Sequence, residues 1–81
     1  MEKEYLELAV RVLFRVAKEE GLYVKIKEIK ETDFGYNFVC DVYRRGKYVA
    51  TNSIYFGKNK TKEDLKKIFA FALRVFKNCF R

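Results

Sequence analysis

The sequence contains no histidine, proline, tryptophan or glutamine, and the first of these absences excludes the most. Without imidazole there is no Ser/His or Cys/His pair, no histidine base and no common zinc site. The two cysteines, Cys40 and Cys79, cannot complete a tetrahedral thiolate cage, and small secreted disulfide scaffolds use about four or more. Both are read as buried thiols. Glycine stands only at positions 21, 35, 46 and 57, each at an expected turn or cap, so no glycine-rich loop cradles a phosphate. Asp33 and Asp41 make no acid/base pair, since one falls in a turn and the other in mid-strand, where a solvated charge explains each. The expectation is a protein that is not an enzyme and has no cofactor, metal or small-molecule substrate.

Long apolar runs are absent too. No stretch approaches the roughly eighteen apolar residues of a membrane span, and Met1-Glu2-Lys3-Glu4 opens directly into an amphipathic segment rather than a signal-peptide core. A cytoplasmic location without membrane association is expected. The narrow alphabet suits a thermophilic, a viral or a computed sequence.

What is present is apolar bulk and positive charge. With 49% hydrophobic residues, eight Phe and six Tyr, a chain of 81 residues has more large side chains than it can easily hide, because such a chain buries only about 60% of its unfolded surface. A homodimer is therefore expected, with Tyr5, Leu8, Val12 and the sheet tyrosines as its motive. Eighteen Lys and Arg against eleven Asp and Glu give a formal charge of +7, which favours a polyanionic partner. General thermophile-like basicity is the competing reading.

The periodicities predict one α+β domain over residues 1–81: α-β-β-β-α, with two helices packed on one face of a three-stranded antiparallel sheet. From Glu4 to Glu20 the residues Glu4, Glu7, Arg11, Arg15 and Lys18 share one helical face. Leu6, Ala9, Val10, Leu13 and Ala17 form the opposite stripe, which Tyr5, Leu8, Val12, Val16 and Phe14 make wider than one sheet face requires. Glu7 to Arg11 and Arg15 to Glu19 are i,i+4 pairs, and Gly21 is a left-handed cap. Leu22, Val24 and Ile26 alternate as a strand does, with Ile29 out of phase, which a bulge near Lys27-Glu28 or an early strand end would explain.

Thr32 to Gly35 is a turn, and Tyr36 to Tyr43 a second strand. A three-residue loop, Arg44-Arg45-Gly46, aligns Phe38, Cys40 and Val42 with Tyr48, Ala50, Ile54 and Phe56, leaving Asn52 pointing inward; a two-residue loop would instead bury Thr51 and Ser53. The outer face then carries Tyr23, Lys25, Lys27, Val39, Tyr43, Val49, Thr51, Ser53 and Tyr55. Thr61 with Asp64 reads as an N-cap before a last helix from about Lys62 to Phe80. Its buried stripe is Leu65, Ile68, Phe69, Ala72, Val75, Phe76 and Cys79, and its other face, with Lys66, Lys67, Arg74, Lys77 and Arg81, is basic.

Lys58, Lys60, Lys62, Lys66 and Lys67 crowd the start of that helix, where unpaired N–H groups and the positive dipole end also favour anions. Lysines there oppose the dipole, which invites a phosphate ligand as the explanation; a solvated basic face is the alternative. With Arg74 and Glu7 they form the candidate nucleic-acid interface. Tyr43 and Tyr55 on the open sheet face could instead stack unpaired bases.

The element order and the lysine-rich second helix resemble the double-stranded RNA-binding domain over nearly the whole chain. Phe38, Val42 and Gly46 are similar to the family's Phe, Val and hairpin Gly. Thr61-Lys62-Glu63-Asp64-Leu65-Lys66 is similar to its hydroxyl residue followed by Lys-Lys-x-Ala-Lys. The resemblance implies that Lys62 and Lys66 contact phosphates across the major groove and that Glu7 stands like the family's groove-contacting acid. Glu63 replaces the family's second lysine, and Thr32 to Gly35 lacks the Pro and His of its minor-groove loop. The same order resembles the RNA-holding, dimerising Alu-domain proteins of the signal recognition particle, in topology and basicity only. The expected function is structured or double-stranded RNA binding through phosphates. The alternatives are a protein-interaction or dimerisation module, such as a small viral inhibitor, or a designed or structural domain without a ligand.

Overall fold

The computed structural model describes residues 2–80; Arg81, placed by the sequence on the basic helix face, and Met1 lie outside them. The order is α1 (Lys3–Glu19), β1 (Tyr23–Glu31), β2 (Gly35–Arg44), β3 (Lys47–Gly57) and α2 (Lys62–Cys79), with the antiparallel strands side by side as β1-β2-β3. This is the α+β arrangement that the periodicities predict.

Helix α1 ends in a Schellman motif. Gly21 takes φ +74°, its N–H donates to the Lys18 carbonyl, and the Leu22 N–H donates to that of Ala17 at 2.8 Å, so two otherwise orphan carbonyls are satisfied. Thr61 caps α2 as expected, its Oγ1 accepting from the Asp64 N–H at 3.1 Å.

The out-of-phase Ile29 has its explanation in a bulge. Pairing with β2 slips between Ile26 and Glu28, with Lys27 as the extra residue, and this returns Ile29 to the helix side opposite Phe38. The β2–β3 hairpin departs from the expected three-residue loop. Arg45 and Gly46 both have positive φ, +53° and +77°, a two-residue loop of type I′ geometry whose twist matches the strands. A second bulge recovers the expected facing but not the register: Val42 pairs with Ala50, two residues beyond the Tyr48 that a three-residue loop sets opposite it, and Tyr43 pairs with Tyr48, so Val49 is the extra residue. It turns in against the core, while Tyr48, expected inside, is exposed. Phe38, Cys40, Val42, Ile54 and Phe56 face the helices and are buried. Asn52 does face inward, opposite Cys40, but β3 is an edge strand and the residue is only half-buried.

Between sheet and helices lies an aromatic centre. Phe38 meets the Phe56 ring at 4.8 Å and the Phe69 ring at 6.2 Å, and Phe56 meets Phe69 edge-on at 5.3 Å. Val12 and Val16, the flank that made the α1 stripe too wide, are buried, and Tyr5 and Leu8 pack against the core as well. The helices consume that flank within one chain, while Phe14, on the other flank, stays exposed. On α2 the buried residues are Leu65, Phe69, Leu73 and Phe76; Leu73 replaces the expected Val75 and Cys79, which are exposed. Burial among the core side chains pushes the Cys40 thiol up to about 11, with the Asp41 carboxylate adding to the shift, so it stays protonated at neutral pH.

The helices run in the same direction, pinned at both ends. Near their starts, the Tyr5 hydroxyl donates to the Gly57 carbonyl at 2.7 Å and accepts from the Lys60 N–H at 3.1 Å. Near their ends, Glu20 accepts from Arg74 Nε at 3.0 Å and pairs with Lys77 Nζ at 3.3 Å, while Lys77 also donates to the Glu20 carbonyl. The Arg74 hydrogen bond first, and Lys77 with it, hold the Glu20 carboxyl below its ordinary value against a smaller desolvation effect. A lowered folded-state value stabilises above the unfolded value and is lost as pH falls through the folded one. Glu20→Gln should therefore be less stable than the parent by about 0.5–1 kcal/mol at pH 7, a figure kept low because Arg74 is largely exposed. In urea titrations the gap should close as the pH falls below the ordinary glutamate value of about 4.5 and through the lowered folded one; a gap that stays constant would refute the assignment.

Candidate nucleic-acid interface

The nominated cations divide into three groups. Lys62 in the first turn of α2 and Lys66 one turn later share a groove of about 130 Å³ with Arg11 and Arg15 of α1, above Leu8, Val12 and Val16. The i,i+4 spacing on each helix stacks each pair along its axis, and the same-direction packing sets the pairs facing each other. No carboxylate lines this groove. Neither expected pair, Glu7–Arg11 or Arg15–Glu19, closes: among the described residues the ion pairs are Lys58–Glu31, Arg74–Glu20 and Lys77–Glu20.

Lys67 and Arg74 lie further along α2 and share with Lys66 a depression of about 460 Å³ that also exposes Phe71 and is bordered by Glu19, Glu20 and Glu63. Here the charges are mixed, and Arg74 is already held by Glu20. Lys58 is also partnered. Its ammonium is 3.0 Å from Glu31 Oε2 and 5.6 Å from the centre of the Tyr36 ring; the Glu31 hydrogen bond raises its value and keeps it charged. Lys60 is exposed in the β3–α2 loop. Glu7 stands away from the basic groove, in a depression between α1 and β1 with Lys3, Leu6, Val10, Arg11 and Ile29.

The β1–β2 turn lies beside the start of α2. Thr32 closes it, its Oγ1 accepting from the Gly35 N–H at 3.0 Å and its N–H donating to the Gly35 carbonyl at 2.8 Å. The Lys58 N–H donates to the Phe34 carbonyl at 3.2 Å, so turn and loop are tied together at one end of the sheet. Phe34 projects there, 82% exposed.

On the opposite side of the sheet, Tyr23, Tyr43 and Tyr48 form a row across all three strands, with neighbouring ring centres 5.8 Å apart. Below this row the Tyr48 hydroxyl lies 2.8 Å from Thr51 Oγ1, which donates to Asp41. A carboxylate thus sits at the middle of that face.

Arg11 and Arg15 were missing from the sequence-derived site, although their spacing on the polar face of α1 was visible. Nothing in the sequence places that face against α2. Among the described residues no group of three or more His, Cys, Asp or Glu could hold a metal ion, and no helix is long and apolar enough to cross a membrane. Compared with family models, curated proteins and solved structures, the chain matches none.

Proposed function

We propose that this chain is a small nucleic-acid-binding domain that holds structured, double-stranded RNA by its phosphates, with the α1/α2 groove as its centre. The observation that carries the reading is the convergence of Arg11, Arg15, Lys62 and Lys66 on one groove with no carboxylate in its lining. Four cations brought together at +7 overall charge repel one another, and a polyanion relieves that repulsion while releasing its own counterions. The groove is lined by Leu and Val and by no aromatic ring, which suits contact with a duplex backbone rather than stacking on unpaired bases. The tyrosine row, by contrast, has Asp41 in its midst, which disfavours a phosphate backbone crossing it. Lys60, Lys67 and the Phe34 turn extend the surface on either side, and the resemblance in element order to the double-stranded RNA-binding domain supports the same partner.

The test is a fluorescence polarisation titration of duplex RNA at several salt concentrations. Binding should weaken steeply with salt, and replacing Lys62 and Lys66 by Ala should flatten the logarithmic slope by about two units, roughly one per lost phosphate contact. Replacing Arg11 and Arg15 should do the same. Replacing Lys58 and Arg74, already engaged with Glu31 and Glu20, should change the slope less. Tighter binding of single-stranded RNA, lost on replacing Tyr43, would move the site to the outer sheet face; no binding to either RNA at low salt would end the reading.

A further inference from the structure

A second surface runs along β1, with Arg11 at the boundary between it and the basic groove. The strand is at the edge of the sheet, so one row of its backbone N–H and C=O groups has no strand beside it. Between β1 and α1 lie two apolar depressions, one at each end of the strand. The first, about 400 Å³, is floored by Leu6, Val10 and Ile29, with Lys3, Glu7 and Arg11 around its rim. The second, about 440 Å³, is lined by Phe14, Leu22, Tyr23 and Val24 with Lys18 at its rim. Phe14, Ile29 and Tyr23 are 45%, 42% and 65% exposed, which is a large apolar area for one flank of so small a domain.

We infer that a second copy of this chain docks on this flank, its β1 antiparallel to the first across a two-fold axis at the Lys27 bulge. The bulge itself selects the register. Before it, Val24 and Ile26 face the helices and Tyr23 and Lys25 face out; after it, Ile29 faces the helices and Glu28 and Lys30 face out. Only a two-fold axis at the bulge sets like faces against like over the length of the strand. One such register sets Val24 against the partner's Ile29, Lys25 against the partner's Glu28 and Tyr23 against the partner's Lys30. Shifting the strands one way sets Lys25 against the partner's Lys30; shifting them the other way leaves no charge pair and a shorter ladder.

The same axis carries the depression at the Val24 end of one copy over the depression at the Ile29 end of the other. Phe14 then meets the partner's Val10 and Ile29, and Lys18 comes to the rim that carries the partner's Glu7 together with the partner's Lys3 and the partner's Arg11. Both depressions are filled at once by one self-complementary contact, which joins the two sheets into one of six strands. Lys25, Lys27 and Lys30 discourage an unrelated strand from adding to this edge; a copy of β1 brings the matching Glu28.

Sedimentation equilibrium on the full chain tests this. The parent should reach twice its 9.7 kDa at high micromolar concentration and dissociate on dilution. Lys25→Glu and Glu28→Lys should each remain at the chain mass, because each sets like charges across the axis. An equimolar mixture of the two should recover the doubled mass, since every opposed pair is then of opposite sign. The double variant K25E/E28K should recover it alone, which keeps the test valid if one single variant folds poorly by circular dichroism. A parent that stays at the chain mass overturns the proposal, as do single variants that still dimerise or a mixture and double variant that stay monomeric.

Discussion

Replacing Phe38 by Ala is expected to lower the stability of the folded chain by about 4 kcal/mol, the range for deleting a fully buried phenyl ring. Phe38 is completely buried at the point where β2 meets both β3 and α2, in contact with the rings of Phe56 and Phe69. The loss has two parts, the transfer of the ring to water and the cavity left among neighbours that are themselves rigid rings. A chain of 81 residues has a total stability of roughly 4–12 kcal/mol at ordinary values per residue. The variant should therefore lose about a third of that stability at the upper end of the range and all of it at the lower, so its urea midpoint should fall by about a third or more. Phe71, 71% exposed on α2, is the control, and its replacement should change stability by about 0.5 kcal/mol or less. Equal effects at the two positions would mean that the core is not where the rings meet.

That core, and the order of elements around it, could be read from the sequence because two periodicities announce them: 3.6 in the helices and 2 in the strands. The failures are equally physical. Relative to a plain two-residue loop, a three-residue loop and a bulge at Val49 shift the β2–β3 register by one residue in opposite directions, toward Val42 with Tyr48 or Val42 with Ala50, yet both turn Ala50, Ile54 and Phe56 to the inner face. Alternation alone cannot separate them, and they differ at Tyr48, which the loop turns inward and the bulge leaves exposed. The Ile29 phase slip was readable because no turn lay nearby to absorb it. On α2 two adjacent stripes are apolar, one through Leu65, Phe69, Leu73 and Phe76 and the other through Ile68, Ala72, Val75 and Cys79. The helix rolls toward α1 and the sheet so that the first is buried and the second is partly exposed.

The candidate site divides along the same line. Lys62 and Lys66 were visible as a local cluster at a helix start. Arg11 and Arg15 lie some fifty residues earlier in a face that reads as plainly solvated, and only the same-direction packing of α1 and α2 brings the two sets together. That packing depends on Tyr5 holding Gly57 and Lys60 at one end and Glu20 holding Arg74 and Lys77 at the other. Glu20 thereby withdraws Arg74 from the cation cluster, and Glu31 does the same for Lys58. A charge count along the sequence could register neither effect.

Gly35 is the clearest case of a residue whose type was readable and whose reason was not. The sequence suggests a turn glycine, yet it is the first residue of β2, fully buried and opposite Gly57, and its φ is not in the left-handed region. Its requirement is space. A Cβ there would collide with the Phe56 carbonyl oxygen and lie 2.7 Å from the Tyr55 hydroxyl and 2.8 Å from the ring carbon that bears it. The ring can swing toward solvent; the carbonyl cannot move without pulling β3 away from β2. Gly35→Ala should therefore cost about 2–3 kcal/mol, at the upper end for overpacking, measured by urea denaturation. Adding Tyr55→Ala separates the two obstacles: it removes the ring and leaves the backbone collision, so the double variant should recover only a minor part of the loss. Full recovery would make the ring the obstacle, and a Gly35→Ala variant as stable as the parent would show that the strands have room to part.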